Sequence, residues 1–243
     1  MKLWLDWSRW ILKNEKEKLQ RAIENMATQV VGDLLDNSII GLGSGSAVAA
    51  FVRKLGERAH DEGLVFSVLP SSLQIQLVAE QAGLRLLPQN MIPEIDVTID
   101  GADQIDEKFN MIKGGGGALY RERILIRAAK KSIILADESK YNKQLSKSIP
   151  VETSFFARTF VSRELKKMGG KTNLRMLEKG YPFVTENCNI ILDVNFGVIE
   201  KPEILQTGIK NIPGVIDLGI FVGEGNIFYR ANLNGSVHNF KVR

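Results

Sequence analysis

SIIGLGSGSAVAAFVRKLGERA, residues 38–59, joins a short β-branched run to a glycine-rich turn and then to a helical pattern. Strand, loop and helix in that order make the first half of a βαβ unit. The same rhythm continues outward. Further strands are expected over residues 64–69, 95–99 and 132–136, and helices over 47–59, 73–82 and 118–130, with Gly63 and Gly83 as stop signals. Such alternation predicts an α/β fold with a doubly wound, mostly parallel, Rossmann-like sheet. After Pro150 the rhythm changes to a strand, a helix near 159–168, Gly169-Gly170, a strand over 189–194 and a helix near 202–210. This pattern predicts a second, smaller α+β (ferredoxin-like) domain. From about Asn226 the residues alternate again and are expected to return to the edge of the first sheet. The chain thus divides into an amphipathic extension (residues 1–16), a main α/β domain (17–146 plus 224–243) and a small domain (147–223).

With 243 residues and 44% hydrophobic content, the chain can bury a large core, which argues against disorder. Its net charge of +4 suits an anionic metabolite. No basic run is interleaved with aromatics, so nucleic acid is not an expected partner, and Arg163, Lys166 and Lys167 read as a solvated helix face. The single cysteine, Cys188, excludes an intrachain disulfide, and His60 and His238 lie too far apart in sequence to suggest a Cys/His metal site. Leu3, Trp4, Trp7, Trp10 and Ile11 recur at helical spacing, but Asp6, Arg9 and Lys13 interrupt the apolar run a signal peptide needs. Nowhere do about 18 apolar residues stand in a row. A cytoplasmic protein without a membrane partner is expected, its N-terminal stripe packed on the body or on a second subunit.

In an open parallel sheet, ligands bind beyond the carboxyl ends of the strands, where loop N–H groups and helix N-termini converge. Four clusters follow the expected strands: the loop from Gly41 to Ser46, Ser71-Ser72, the run from Asp100 to Asp103, and the run from Asp137 to Lys140. Their common position predicts one shared pocket. The glycine loop offers backbone N–H groups to a phosphate, with the Ser44 and Ser46 hydroxyls as further donors. It is not a dinucleotide fingerprint, because Ser46 stands where a glycine is needed and Asp61 and Glu62 precede the second strand. No Gly-Lys-Ser/Thr follows it, which excludes a Walker loop. Asp100 and Asp103 flank Gly101 and Ala102, small residues that let a substrate approach the backbone. Two carboxylates here can hold sugar hydroxyls or move protons, or can simply cap a strand-ending turn.

Lys113 and four consecutive glycines precede a helical pattern that begins near Ala118. The loop's N–H groups and the positive end of that helix can face a developing oxyanion. Glu122 falls in the first turn or two, where the helix favours the charged form that a base needs. A favourable helix-start charge would explain Glu122 alone. Four adjacent glycines are harder to explain structurally, since each costs about 0.5–1 kcal/mol relative to alanine in regular structure.

Together GLGSGSA (41–47), IDGADQID (99–106), IKGGGGALYRE (112–122) and ADESK (136–140) resemble the A-type ribose-5-phosphate isomerases, in order and with matching intervals from Asp100 to Lys140. The similarity extends less tightly from about Lys18 to the C-terminus, through ARTFVSREL, YPFVTENCNIILD and IPGVIDLGIF. It implies interconversion of ribose 5-phosphate and ribulose 5-phosphate in the non-oxidative pentose phosphate pathway, without cofactor or metal, by a homodimer or homotetramer whose small domain makes subunit contacts. It also implies that Ser44, Gly45, Ser46 and Ala47 hold the phosphate, and that Asp100 and Asp103, with Gly101 and Ala102 between them, handle the sugar. Lys113, Gly114, Gly115 and Gly116 would stabilise the oxyanion, Glu122 would be the base, and Lys140 would add a ligand contact. Ser44 and Ala47 replace threonines common in the family, so one hydroxyl contact is lost at position 47. A ligand-reaching lysine near the family's N-terminus aligns with Lys18, Gln20 or Arg21. The Trp-rich residues 1–15 lie outside the resemblance.

Moving a carbonyl from C1 to C2 means removing the C2 proton, stabilising a cis-enediolate and returning a proton to C1 on the same face. One carboxylate can do both transfers. A sugar-phosphate-sensing domain without turnover is the alternative from another class. Against it stand the lack of a helix-turn-helix pattern before Gly41 and the presence of Glu122 beside an oxyanion site. An acyl-CoA transferase relative would want its glutamate in a different motif.

Overall fold

The computed structural model describes the backbone of residues 2–242 and the side chains of residues 15–242. Six α-helices are described: α1 (Lys2–Gly32), α2 (Ser46–Glu62), α3 (Leu73–Gln81), α4 (Leu119–Ala128), α5 (Arg158–Lys167) and α6 (Pro202–Lys210). The strands up to the middle of the chain are β1 (Ile39–Leu42), β2 (Ser67–Pro70), β3 (Arg85–Leu86), β4 (Ile95–Gly101), β5 (Gln104–Ile105), β6 (Met111–Ile112) and β7 (Ala129–Asp137). Then come β8 (Ile149–Thr153), β9 (Lys171–Leu174), β10 (Ile190–Asn195), β11 (Val215–Leu218), β12 (Ile220–Phe221), β13 (Ile227–Ala231) and β14 (Val237–Lys241).

The main sheet runs β14-β13-β7-β4-β1-β2-β3, parallel throughout except for the edge hairpin β13/β14. The chain steps outward from β1 to β2 and β3, then returns to lay β4 on the other side of β1. Winding therefore reverses between β1 and β4, where the loops diverge and a crevice opens. Helix α2 forms because Val48, Phe51, Val52 and Leu55, spaced i, i+3, i+4 and i+7, are all buried. Gly63, at a left-handed φ of 68°, ends it by returning its N–H to the Ala59 carbonyl. Met26 and Val30 of α1 join Phe51 and Leu55 of α2 against Ile40, Val97 and Ile99 of the sheet. On the opposite face, Leu125 of α4 packs on Leu69 and Ile95. Each such side chain, fully buried, contributes about 1.5–3 kcal/mol relative to exposure.

From β8 to β11 the chain follows a βαββαβ order and builds an antiparallel sheet β11-β8-β10-β9, the ferredoxin-like arrangement. Its own core holds Val151, Val161, Leu165, Leu192 and Ile209. Beside it lies a small sheet β12-β6-β5, in which Ile220 pairs with Ile112. These two-residue strands carry no periodicity, so the sequence pattern did not show them.

Among the boundaries that differ from the sequence expectation, two have a clear local cause. β2 starts at Ser67 rather than residue 64, because the Val65 N–H donates to Asp36 Oδ1 (2.7 Å) and the Val65 carbonyl accepts from Asn37 N–H (2.8 Å), which uses up its ladder groups. Helix α4 stops at Ala128, short of residue 130, because Ala129 enters the ladder opposite Ile95. The expected apolar stripe from Leu3 to Ile11 falls on side chains outside the described residues. No described helix is long and apolar enough to cross a membrane.

Candidate functional site

At the reversal point, β1 and β4 end side by side. The Gly43 N–H donates to the Ile99 carbonyl at 2.8 Å. A Cβ on Gly43 would lie 1.9 Å from Asp100 Oδ1, so only glycine lets the loop cross over this carboxylate. Above it opens a cleft of about 430 Å³. Its walls carry Ser44, Gly45, Ser46 and Ala47 from the first loop, Gly101, Ala102 and Asp103 from the second, and Lys113, Gly114, Gly115, Gly116, Glu122 and Lys140. Ser72 and Asp137 also reach it, so all four loop clusters meet in one cleft. Of the residues expected to hold the phosphate, handle the sugar or stabilise the oxyanion, Asp100 does not line the cleft; it is fully buried beneath it. Of α1, Ile23 lines the cleft, whereas Lys18, Gln20 and Arg21 do not, and Gln20 instead donates to Glu24 at 2.9 Å.

One end of the cleft suits an anion. Gly45 enters α2 at φ 97°, and no side chain caps the first amides of that helix. Uncapped N–H groups at the positive end of a helix attract a phosphate. The Ser44 hydroxyl is held there by Ser71 Oγ (3.0 Å) and Ser72 Oγ (2.8 Å). Lys140 also lines the cleft, its Nζ 3.9 Å from Asp137 Oδ2.

The other end holds a buried charge cluster. Lys113 Nζ lies 2.9 Å from Asp100 Oδ1 and 3.2 Å from Glu122 Oε2, and donates to the Gly101 carbonyl at 2.5 Å. All three side chains are at most 5% exposed, so water screens none of these charges. Glu122 Oε2 has charge contact but no aligned hydrogen bond, and Asp100 Oδ2 likewise lacks a partner. Burial pushes the Glu122 carboxyl up to about 7; the charge of Asp100 adds to this and Lys113 opposes it. The expectation of a carboxylate favoured by its helix start is thereby reversed, because desolvation outweighs the helix dipole. Burial also raises Asp100, against the Lys113 ammonium. For Lys113, burial pulls downward, but Asp100 and Glu122 together hold it above the ordinary lysine value, so it stays charged. A carboxyl poised near neutrality beside a fixed ammonium can both take up and return a proton.

Neighbouring groups keep this cluster in place. Asp103 faces the cleft and accepts the Gly115 N–H at 2.7 Å. Arg123, next to Glu122 on α4, is buried. It donates to Asp217 Oδ2 at 2.8 Å and to the Leu218 and Ile220 carbonyls, both at 2.7 Å, with its guanidinium 3.8 Å from the Phe221 ring centre. Glu122 is therefore anchored through the segment that joins the two sheets. Among the described residues, no three His, Cys, Asp or Glu side chains group as a metal site.

Sequence reasoning missed the far wall. Phe183, Val184 and Glu186 come from the long connection between β9 and β10 and close one side of the cleft. Glu186 fastens this segment to the main sheet's helices, accepting the Leu73 N–H at 2.6 Å and pairing with Arg121 at 2.9 Å. Glu186 sits 113 positions from Leu73 and 65 from Arg121, in a stretch with no motif chemistry. The run YPFVTENCN was the available signal.

Residues 67–235 match the family model described as ribose 5-phosphate isomerase A (phosphoriboisomerase A). A ribose-5-phosphate isomerase A of Methanosarcina acetivorans is 43% identical over 200 residues, covering 82% of this chain and 85% of the relative. The solved isomerase of Methanocaldococcus jannaschii superposes with a TM-score of 0.85 at 34% identity, over 90% of this chain and 98% of that one. A solved D-ribose-5-phosphate isomerase in complex with phospho-erythronic acid gives a TM-score of 0.86 at 32% identity, over 90% and 97% of the two chains.

Proposed function

Since this chain belongs to the ribose 5-phosphate isomerase A family and interconverts ribose 5-phosphate and ribulose 5-phosphate, we propose that Glu122 carries the proton between C2 and C1 of the open-chain sugar. The observation that carries this reading is the buried Glu122 carboxyl on the cleft wall, its Oε2 3.2 Å from the Lys113 ammonium and pushed up to about 7 by burial. The ligand class is a sugar phosphate, in keeping with the phospho-erythronic acid held by a solved relative.

The phosphate sits at the N-terminal amides of α2, with Ser44, Ser46 and Lys140 around it. Asp103, on the cleft wall, moves the O1 proton toward the ring oxygen as the furanose opens. Asp100 has no surface to offer a substrate and serves to hold Lys113. Ionised Glu122 then takes the C2 proton, and the electron pair moves onto O1 to give a cis-enediolate. Lys113 and the glycine amides meet that negative charge. Protonated Glu122 returns its proton to C1 while the O2 proton passes to O1, leaving the carbonyl at C2. Hydrogen moves as a proton throughout, so the reaction as written calls for no redox cofactor. A positioned general base contributes about 10²–10⁴-fold to the rate.

We further read residues 17–146 with 224–243 as the catalytic unit and 147–223 as the unit that makes subunit contacts in a homodimer or homotetramer. Phe155 and Phe156, 72% and 97% exposed on the small unit, support that reading. A cytoplasmic location follows from a doubly charged substrate that does not cross membranes unaided.

The test is direct. Purified protein in EDTA should form ribulose 5-phosphate from ribose 5-phosphate, and Glu122→Gln should keep substrate affinity while losing at least about 100-fold in kcat. Substrate binding without turnover in the unmodified protein would point to a sensor. Loss of activity in EDTA would overturn the metal-free mechanism.

A further inference from the structure

Four adjacent glycines leave the oxyanion loop with no side chain of its own to fix its peptide planes. The fixing group comes from just beyond β9 of the four-stranded antiparallel sheet. Arg175 Nη1 donates to the Gly114 carbonyl at 2.9 Å and to the Gly115 carbonyl at 3.1 Å. Its other edge is gripped by Asp193 on β10, Nε to Oδ2 at 2.9 Å and Nη2 to Oδ1 at 2.5 Å. The guanidinium also lies 5.8 Å from the ring centre of Phe183, which forms part of the cleft wall.

We propose that Arg175, oriented by Asp193, is a positioning residue that directs the Gly115 amide onto Asp103 and the Gly116 amide into the oxyanion cradle. In a trans peptide the carbonyl of one residue and the N–H of the next point in opposite directions. Two consecutive carbonyls drawn to the same guanidinium therefore turn the two following N–H groups to the opposite side. The Gly115 N–H on that side meets Asp103, a residue of the cleft wall. The Gly116 N–H is turned the same way, toward the space where the enediolate forms. Without the fork, either plane can flip, because glycine tolerates both orientations. Arginine suits the task because its planar guanidinium offers donors on two edges at once, one for the carboxylate and one for the loop. Its charge also lies behind the carbonyls and polarises them in the direction that favours an anion in the cleft.

This inference rests on the isomerase mechanism above, and its test separates the two. Turnover by the unmodified protein is the measurement that bears on the isomerase reading; only the variants bear on Arg175. Arg175→Gln should lower kcat by about 10- to 100-fold, less than the ~10²–10³ expected for deleting an oxyanion donor outright, with KM within about threefold of the parent. Affinity for phospho-erythronic acid, whose planar carboxylate imitates the enediolate oxygens, should fall by about the same factor as kcat. The midpoint of the pH–rate profile should stay in place, since Glu122 is untouched. Asp193→Asn keeps the arginine but weakens its grip, and should show a smaller loss with the same split. It carries the comparison if Arg175→Gln does not fold. A rise in KM with kcat unchanged, equal weakening of substrate and phospho-erythronic acid, or unaltered kinetics in both variants would overturn the proposal.

Discussion

Lys113→Met keeps an unbranched side chain of similar length but deletes the ammonium 2.9 Å from Asp100 and 3.2 Å from Glu122. At about 3 Å and an effective dielectric near 20, one such pair interacts by roughly 5 kcal/mol; opposite charges at this range typically lower a carboxyl by about 1–3 units. Glu122 already stands at about 7 with the ammonium present. Without it, burial and Asp100 act unopposed, and the midpoint should climb to about 8–10. At pH 7 the ionised fraction then drops from about one half to between roughly a tenth and a thousandth. Shortage of ionised base alone should thus cost about 5- to 500-fold in kcat/KM. The sign is fixed by the role: a base must be ionised, so the acidic limb of the profile moves to higher pH. Initial rates of ribulose 5-phosphate formation from pH 5.5 to 10 would reveal the shift, with partial recovery of the variant at pH 9. Loss of oxyanion stabilisation by itself would depress the profile at every pH without moving its midpoint. A limb that stays in place or moves downward would refute the claim that Lys113 governs the ionisation of Glu122.

Gly43→Ala places a methyl 1.9 Å from Asp100 Oδ1 and 2.0 Å from its Cγ, which displaces the carboxylate from Lys113. Overpacking of this kind costs about 1–3 kcal/mol, measurable as a lower urea midpoint, and kcat should fall with it; full stability and activity would contradict the close packing. Glu122→Gln should have an effect on stability that depends on pH. A carboxyl raised from 4.5 to about 7 binds its proton more tightly in the folded state, so parent stability falls as pH rises through that window. The penalty reaches about 3 kcal/mol above pH 7, and the neutral variant escapes it. Urea unfolding should find Glu122→Gln more stable than the parent at pH 8 and level with it near pH 4.5. An equal difference at both values would show that burial does not raise this group.

The order of elements and the loops that form the cleft were legible in the chain itself. Val48, Phe51, Val52 and Leu55 specify a helix by spacing alone, Gly63 stops it, and the glycine and aspartate clusters fall after strands because turn chemistry is local. Strand ends in a doubly wound sheet point to one edge, so adjacency of those loops follows from the repeat. Other properties arose only when distant segments packed. Asp100 and Asp103 look equivalent in sequence, three residues apart around Gly101 and Ala102. The crossing of Gly43 over β4 buries the first and leaves the second on the cleft wall. The position of Glu122 near a helix start suggested a carboxylate held charged, yet enclosure beside Asp100 raises it to about 7, since desolvation depends on every neighbour and not on the helix alone. The strands β5, β6 and β12 are too short to carry a period, and Ile112 meets Ile220 across more than a hundred residues. From the connection between β9 and β10, Arg175 reaches the glycine loop 61 residues away, and Phe183 and Glu186 reach the cleft, Glu186 through a contact that spans 113 residues. Local sequence determined which segments become strands, helices and ligand-facing loops, because backbone conformation and turn chemistry act over a few residues. Burial, charge and the far wall of the cleft depended on tertiary structure, because solvent exclusion and Coulomb interaction are set by neighbours in space.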